Sequence, residues 1–150
     1  MRHFAVLCIA GLVIAGCSQA GDPIVGTWTG TSTVSGMSAN MEMTYGADGT
    51  FKGTVVAKVP NQGSFTITNG GKWEYDSAKK LKVTVSSVDM KTEGMPPQVE
   101  AMFKASNTPD AKAKLMKDIN AEPAQAITWN GNDEFTTQSQ GQTVTFKRKK

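Results

Sequence analysis

The chain has 150 residues, with 16 lysines and arginines against 13 aspartates and glutamates, and a formal net charge of +3. This length suits one domain that buries about two-thirds of its extended-chain surface. The nearly balanced charge predicts no nucleic-acid partner, and we find no internal repeat, low-complexity tract or interdomain linker that would divide the domain.

The first predicted element is an export signal peptide over residues 1–16. Arg2 and His3 give it a positive start, and the eleven residues from Phe4 to Ile14 carry no charge. As a helix, eleven residues rise about 17 Å, roughly half of a ~30 Å hydrocarbon core, so this segment is too short for a stable membrane anchor. A short apolar region that ends in small residues is typical of a signal that is cleaved off.

The end of this segment carries a lipidation motif. Ile14-Ala15-Gly16-Cys17 resembles the bacterial lipobox, which implies cleavage before Cys17, a diacylglycerol on its sulfur and attachment to the membrane through that lipid. Ser18, rather than an aspartate, follows the cysteine. By resemblance to the lipoproteins of enteric bacteria, in which this position directs sorting, it favours the periplasmic face of the outer membrane. We therefore predict a lipidated tether over residues 17–22 and one domain over residues 23–150. The alternative is an ordinary secretory signal with a chance cysteine.

Cleavage restricts the available chemistry. It removes His3 and Cys8, so the mature chain holds no histidine and one cysteine, Cys17. This excludes an intrachain disulfide, a zinc site built from His or Cys, and a serine nucleophile paired with histidine. No constellation of carboxylates, lysines or tyrosines converges, so we predict no enzyme activity, no cofactor and no metal site. We interpret the methionines as core filling rather than as a copper(I) site.

The body of the chain alternates apolar and polar residues with the period of half-buried β-strands. Phe51 and Ala57 share one face of the third strand, for example, while Lys52 and Lys58 share the other. The predicted strands cover 24–34, 41–45, 51–59, 63–76, 81–85, 125–129, 134–139 and 142–148. Gly70-Gly71 predicts a bulge or bend in the fourth strand. The short turns favour an all-β, eight-stranded antiparallel meander barrel, with an open sheet as the alternative.

The segment 95–120 breaks this rhythm and predicts two short helices between the fifth and sixth strands. Val99, Met102 and Phe103 follow a proline pair at helical spacing, which predicts the first helix. Thr108 before Pro109 predicts the N-cap of the second. The apolar positions of the second helix fall four residues apart, at Ala111, Leu115 and Ile119. The insertion is either a lid over the barrel mouth or a plain packing element.

Two short motifs carry a family resemblance. Gly26-Thr27-Trp28 in the first strand and Val144 to Arg148 in the last resemble the lipocalin or calycin superfamily, and more closely small bacterial lipoproteins with a lipocalin-like domain. The segments 45–51 and 71–75 resemble the same group. The resemblance implies that Trp28 closes one end of the barrel and stacks under Arg148, with Gly26 beside them, in a structural role.

The barrel interior is the candidate binding site. We expect an apolar pocket lined by Met43, Tyr45, Phe51, Phe65, Trp73 and Leu81, although these side chains are equally able to fill the barrel. The leading prediction is a non-catalytic, lipid-anchored envelope protein that binds a small apolar ligand or lipid. The alternative is a solid-core structural protein that binds or inhibits another envelope protein through an apolar patch on Val99, Met102 and Phe103.

Overall fold

In the computed structural model, which describes residues 22–34, 37–139 and 142–150, the chain forms a closed antiparallel barrel. Its strands follow chain order: β1 (Gly26–Val34), β2 (Met37–Tyr45), β3 (Thr50–Val59), β4 (Gly63–Tyr75), β5 (Lys80–Glu93), β6 (Gln125–Trp129), β7 (Glu134–Ser139) and β8 (Gln142–Arg148). Helices α1 (Pro97–Ser106) and α2 (Pro109–Ala121) lie between β5 and β6. The predicted fold class is confirmed. The predicted signal peptide and Cys17 lie outside the described residues, as does the predicted tether except for Asp22.

The alternation of side chains explains which face of each strand is buried. On β3, Phe51, Gly53 and Ala57 are buried, whereas Lys52 and Lys58 are exposed. Adjacent strands keep this phase, because their register places inward-facing residues opposite one another. The period-two pattern therefore becomes one apolar face inside the barrel and one polar face in water.

A bulge changes the phase of the wall between β4 and β5. The register shifts between Gly70 and Gly71, and Ser86 is the extra residue on β5. A β-carbon on Gly71 would lie 1.9 Å from the carbonyl oxygen of Thr84, so the two backbones approach as only glycine allows. The bulge predicted in β4 is present, and it also explains why β5 is longer than predicted, since its alternation restarts in the opposite phase after Ser86.

The two ends of the barrel differ in packing. One end, the floor, carries the start of β1 and the turns at 46–49, 76–79 and 130–133, and the other end, the mouth, carries the turn at 60–62. The buried core cluster is concentrated in the floor half of the strands, although Val144 lies nearer the mouth end of β8, and it comprises Ile24, Trp28, Tyr45, Phe51, Trp73, Leu81, Val85, Ile127, Phe135, Val144 and Phe146. The floor is therefore the close-packed end of the molecule.

Helix α2 completes the wall where β5 extends beyond the end of β6. These strands pair only through Lys80 with Ala126 and Leu81 with Gln125 in the described residues. Farther along β5, the backbone N–H of Val85 donates to Asn120 Oδ1 at 2.7 Å, and Asn120 Nδ2 donates to the Val85 carbonyl at 2.9 Å. The Asn120 carboxamide thus replaces the peptide group of a neighbouring strand.

Further contacts fix α2 along β5. Thr108 caps the helix by accepting from the Ala111 N–H at 3.2 Å, which confirms the predicted N-cap. Lys112 pairs with Asp89 of β5 at 3.1 Å, and this hydrogen bond lowers the pKa of the exposed Asp89 carboxyl. Met116 and Ile119 pack against the core cluster. Of the two roles open for the insertion, α2 takes packing within the wall.

Asn120→Ala should lower the free energy of unfolding by about 1–3 kcal/mol, because both backbone groups of Val85 lose their partner next to the core. Urea denaturation monitored by tryptophan fluorescence measures this change. Asn40→Ala, at an exposed position of β2, is the matched control and should stay within about 0.5 kcal/mol of the native protein. Equal denaturation midpoints for the two variants would contradict the role given to Asn120.

Candidate functional site in the barrel interior

Trp28 forms the centre of the floor. Its side chain is 0% exposed, and its indole Nε1 donates to the carbonyl oxygen of Ile24 at 2.7 Å. The rings of Phe135 and Trp129 meet it edge-on, with centroids 4.8 Å and 5.7 Å away. A buried indole whose N–H has an acceptor and whose ring has edge-on neighbours is held in one orientation.

Arg148 covers Trp28 and joins the last strand to the first. The guanidinium carbon lies 4.2 Å from the centroid of the Trp28 ring. Its Nη1 donates to the Val25 carbonyl and its Nη2 to the Pro23 carbonyl, both at 2.8 Å, while Nε donates to Asp133 at 3.1 Å. These guanidinium hydrogen bonds connect the segment that precedes β1 to the end of β8, in addition to the cation–π contact.

Gly26 makes room for this arrangement. Its φ of 136° lies in the region that favours glycine, and a β-carbon there would lie 2.5 Å from Arg148 Nη1. The structure thus brings together Gly26, Trp28 and Arg148, the three residues that the sequence motifs single out.

The predicted ligand-binding residues divide between the two ends. Tyr45, Phe51, Trp73 and Leu81 belong to the buried core cluster, and the Tyr45 ring lies 5.5 Å from Phe51 and 5.9 Å from Trp73. These four side chains fill the floor half by packing on one another. Met43 is half-buried against the cluster, and Phe65 is half-buried higher in the wall, so only these two of the six remain partly accessible.

An accessible apolar surface lies in the mouth half instead. The register places Met41, Val55, Ile67 and Met90 side by side on β2 to β5, with Ala39, Ala57 and Phe65 in the next row toward the mouth. We call these seven residues the mouth wall. All are half-buried except Ala57, which is buried. Their alternation with exposed residues such as Asn40 and Thr68 directs them toward the interior.

Sequence reasoning missed Met90 as part of this surface. Val88, Met90 and Thr92 are half-buried while Asp89 and Lys91 are exposed, a clear alternation that starts just beyond the bulge at Ser86. The signal is present in the sequence, but its phase is opposite to that of Leu81, Val83 and Val85. A strand prediction that allows one inserted residue would have included it.

Asn69 is a polar residue on the inner face of β4. Asn69 faces inward between Gly53 of β3 and Val88 of β5. Its Oδ1 is buried and has no hydrogen-bond partner. A β-carbon on Gly53 would lie 2.3 Å from this oxygen and 2.9 Å from Met43 Sδ, so the amide occupies the space that the glycine leaves.

The outer side of the floor carries two open depressions. Both are bordered by Asn132 and Arg148, the first also by Glu134 and Lys147, and the second by Trp129. The Arg148 guanidinium already donates to backbone carbonyls and to Asp133. Its donors are therefore already engaged in hydrogen bonds within the floor and are not available to a ligand. For this reason we place the candidate site at the mouth wall.

Comparisons with known proteins find no match to a protein-family model and no match to a curated protein. No helix in the described part of the chain is long and apolar enough to cross a membrane. Among the same residues, no three histidine, cysteine, aspartate or glutamate side chains gather as a metal site. Any assignment of function therefore depends on the geometry of the barrel and the sequence motifs.

Arg148→Lys should lower the free energy of unfolding by about 1–3 kcal/mol. Lysine keeps the charge but cannot reproduce the planar fork that donates to Val25, Pro23 and Asp133 above the indole. Chemical denaturation measures the loss. Lys147→Ala is the control, because its exposed pair with Glu134 at 3.5 Å contributes little. A loss as small as that of the control would contradict the role of Arg148 in closing the barrel.

Tyr45 should make the protein less stable at alkaline pH. Burial raises the pKa of its hydroxyl above the ordinary value near 10. The unfolded chain therefore releases this proton above about pH 10 while the native state keeps it, so the stability present below pH 10 declines as the pH rises.

This decline is measured as the difference in unfolding free energy between pH 8 and pH 10.5. The native protein should lose more than Tyr45→Phe, since the variant lacks the hydroxyl but keeps Tyr75 and every lysine. An identical loss in both proteins would show that the Tyr45 proton does not contribute.

Proposed function

We propose that this chain is a non-catalytic, lipid-anchored protein of the bacterial envelope whose lipocalin-like barrel binds a small apolar ligand or lipid at the mouth wall. The observation that carries the proposal is the contrast between the two halves of the interior. The floor half is close-packed, whereas the mouth wall leaves apolar side chains half-buried on an inward face. The apolar inner face of a barrel mouth is a typical location for a small-molecule site.

The mouth wall contains two small side chains. Ala39 and Ala57 lie opposite each other on β2 and β3, so less side-chain volume is present here than at Phe65 or Met41. Burial of about 200 Å² of apolar surface contributes roughly 5 kcal/mol before the entropy cost of binding. On this area alone, the dissociation constant is therefore about 0.2 mM or weaker, since a micromolar value needs about 8 kcal/mol.

The proposed anchor lies at the closed end of the barrel. The Ile14-Ala15-Gly16-Cys17 motif supports lipidation at Cys17, and the chain enters the barrel at Pro23, beside the Arg148 guanidinium. Six residues from Cys17 to Asp22 reach at most about 20 Å. The floor is thus tied near the membrane surface, and the mouth is the end farther from the tether.

The alternative function is that of an interaction protein which binds or inhibits another envelope protein. One observation favours it: Met102 on α1 is 72% exposed, an unusual exposure among the large apolar side chains that the structure describes. Val99 and Phe103 lie on the same helix and are half-buried. An apolar patch of this kind is a typical protein-contact surface.

Native mass spectrometry of the protein from its own envelope, followed by organic extraction, tests the proposal directly. A ligand carrier should travel with a stoichiometric extra mass that extracts as one lipid class. A bare protein mass, together with no binding of the apolar fluorophore N-phenyl-1-naphthylamine, would contradict ligand binding and favour the interaction protein.

Ala39→Trp should abolish binding of N-phenyl-1-naphthylamine, because the indole fills the space opposite Ala57 in the mouth wall. Asn40→Trp is the matched control, since its side chain lies on the outer face of the same strand, and it should bind the fluorophore like the native protein. Fluorescence titration gives both dissociation constants, and circular dichroism checks that both variants fold. Unchanged binding in Ala39→Trp would exclude the mouth wall as the site.

A further inference from the structure

The unpartnered amide oxygen of Asn69 is a costly feature of the barrel interior. A buried polar atom without a hydrogen bond loses its hydration without compensation, and the Asn69 Oδ1 is in this state. Its inward-facing neighbours in the register, Gly53, Met43 and Val88, carry no oxygen or nitrogen in their side chains. Leucine at this position would fill a similar volume without burying an unpaired polar atom. The presence of an amide here therefore calls for a functional reason.

The position of Asn69 relates it to the mouth wall. It lies on β4 two residues from Ile67, on the same face, and farther from the mouth. An apolar molecule lying along Ile67 and Val55 would therefore bring its leading end to the Asn69 amide. Asn69 as a whole is half-buried, and rotation of its amide exchanges the oxygen and the nitrogen.

The charges around this position select a neutral head group. Among the described strand residues, Arg148 is the cationic residue on the inward face. Its donors are already engaged at the floor. A carboxylate at Asn69 would thus remain without a counter-charge, which is unfavourable away from water. A hydroxyl is neutral and matches the amide in either orientation, because it donates to Oδ1 and accepts from Nδ2.

We propose that Asn69 determines ligand specificity by hydrogen-bonding the hydroxyl group of an otherwise apolar molecule bound at the mouth wall. This inference rests on the proposed ligand-binding function and adds the chemical class of the ligand to it. It assigns the amide to recognition, with the apolar side chains of the mouth wall supplying affinity.

Two probes of nearly the same shape test the inference. 2-Naphthol and 2-methylnaphthalene differ by a hydroxyl in place of a methyl group, and both are titrated against the full-length mature protein by displacement of N-phenyl-1-naphthylamine. Asn69→Leu should shift the ratio of the two dissociation constants against 2-naphthol by about five- to tenfold, which corresponds to one hydrogen bond. Asn40→Leu, on the outer face of β2, should leave the ratio at its native value.

The same variant separates recognition from structure. Asn69→Leu should also raise the urea midpoint, since it removes the unpartnered amide, but a purely structural role would leave the ratio of dissociation constants unchanged. An unchanged ratio therefore overturns the inference while ligand binding stands. Failure of the native protein to bind either probe or the fluorophore overturns the proposed function as well. Should Asn69→Leu not fold, Asn69→Ala gives the same ratio.

Discussion

The barrel depends on the contact between Trp28 and Arg148. In the described part of the chain, strands β1 and β8 pair through three residue pairs near the floor, so the backbone alone joins the first and last strands over a short length. Arg148 extends this join by donating to two carbonyls of the entering chain while it stacks over the buried indole. Gly26 permits the approach because any side chain there would meet the guanidinium. Closure at the floor thus depends on the Arg148 guanidinium, the Trp28 ring and the absence of a side chain at Gly26.

The same closure explains why the two ends of the barrel differ. Strands β6 to β8 are shorter than β2 to β5 and join the rest of the wall near the floor, where the described residues form two pairs between β5 and β6 and three between β1 and β8. Toward the mouth, side chains replace the backbone ladder: Asn120 bonds to Val85, and Ser32 Oγ donates to Gln142 at 3.1 Å. A region with fewer backbone hydrogen bonds and less buried surface opens at a lower free-energy cost. The mouth is therefore the end where an apolar molecule would enter.

Period-two alternation in the sequence was enough to predict the existence of the eight strands and most of their inward faces, because it reports directly which side of a strand is apolar. It does not report depth along the strand, and Phe51 and Phe65 therefore appear equivalent in the sequence although one is buried at the floor and the other is half-buried near the mouth. The bulge hides Met90, since an inserted residue reverses the phase. Asn120 reads as an ordinary helix-end residue, and its place on the edge of β5 follows from the unequal lengths of β5 and β6. These features depend on tertiary pairing, which local pattern does not encode.

The chain enters the barrel at the floor, whereas the proposed binding site lies at the mouth. Because the chain enters at the floor and Arg148 binds the entering carbonyls, a lipid on Cys17 would restrain the end that is already close-packed. The apolar mouth would then be directed away from its own membrane, within the limit of a short tether. Helix α1, whose Met102 is exposed, follows β5 at the mouth end of the barrel, so the apolar mouth wall and this exposed apolar residue belong to the same end of the molecule.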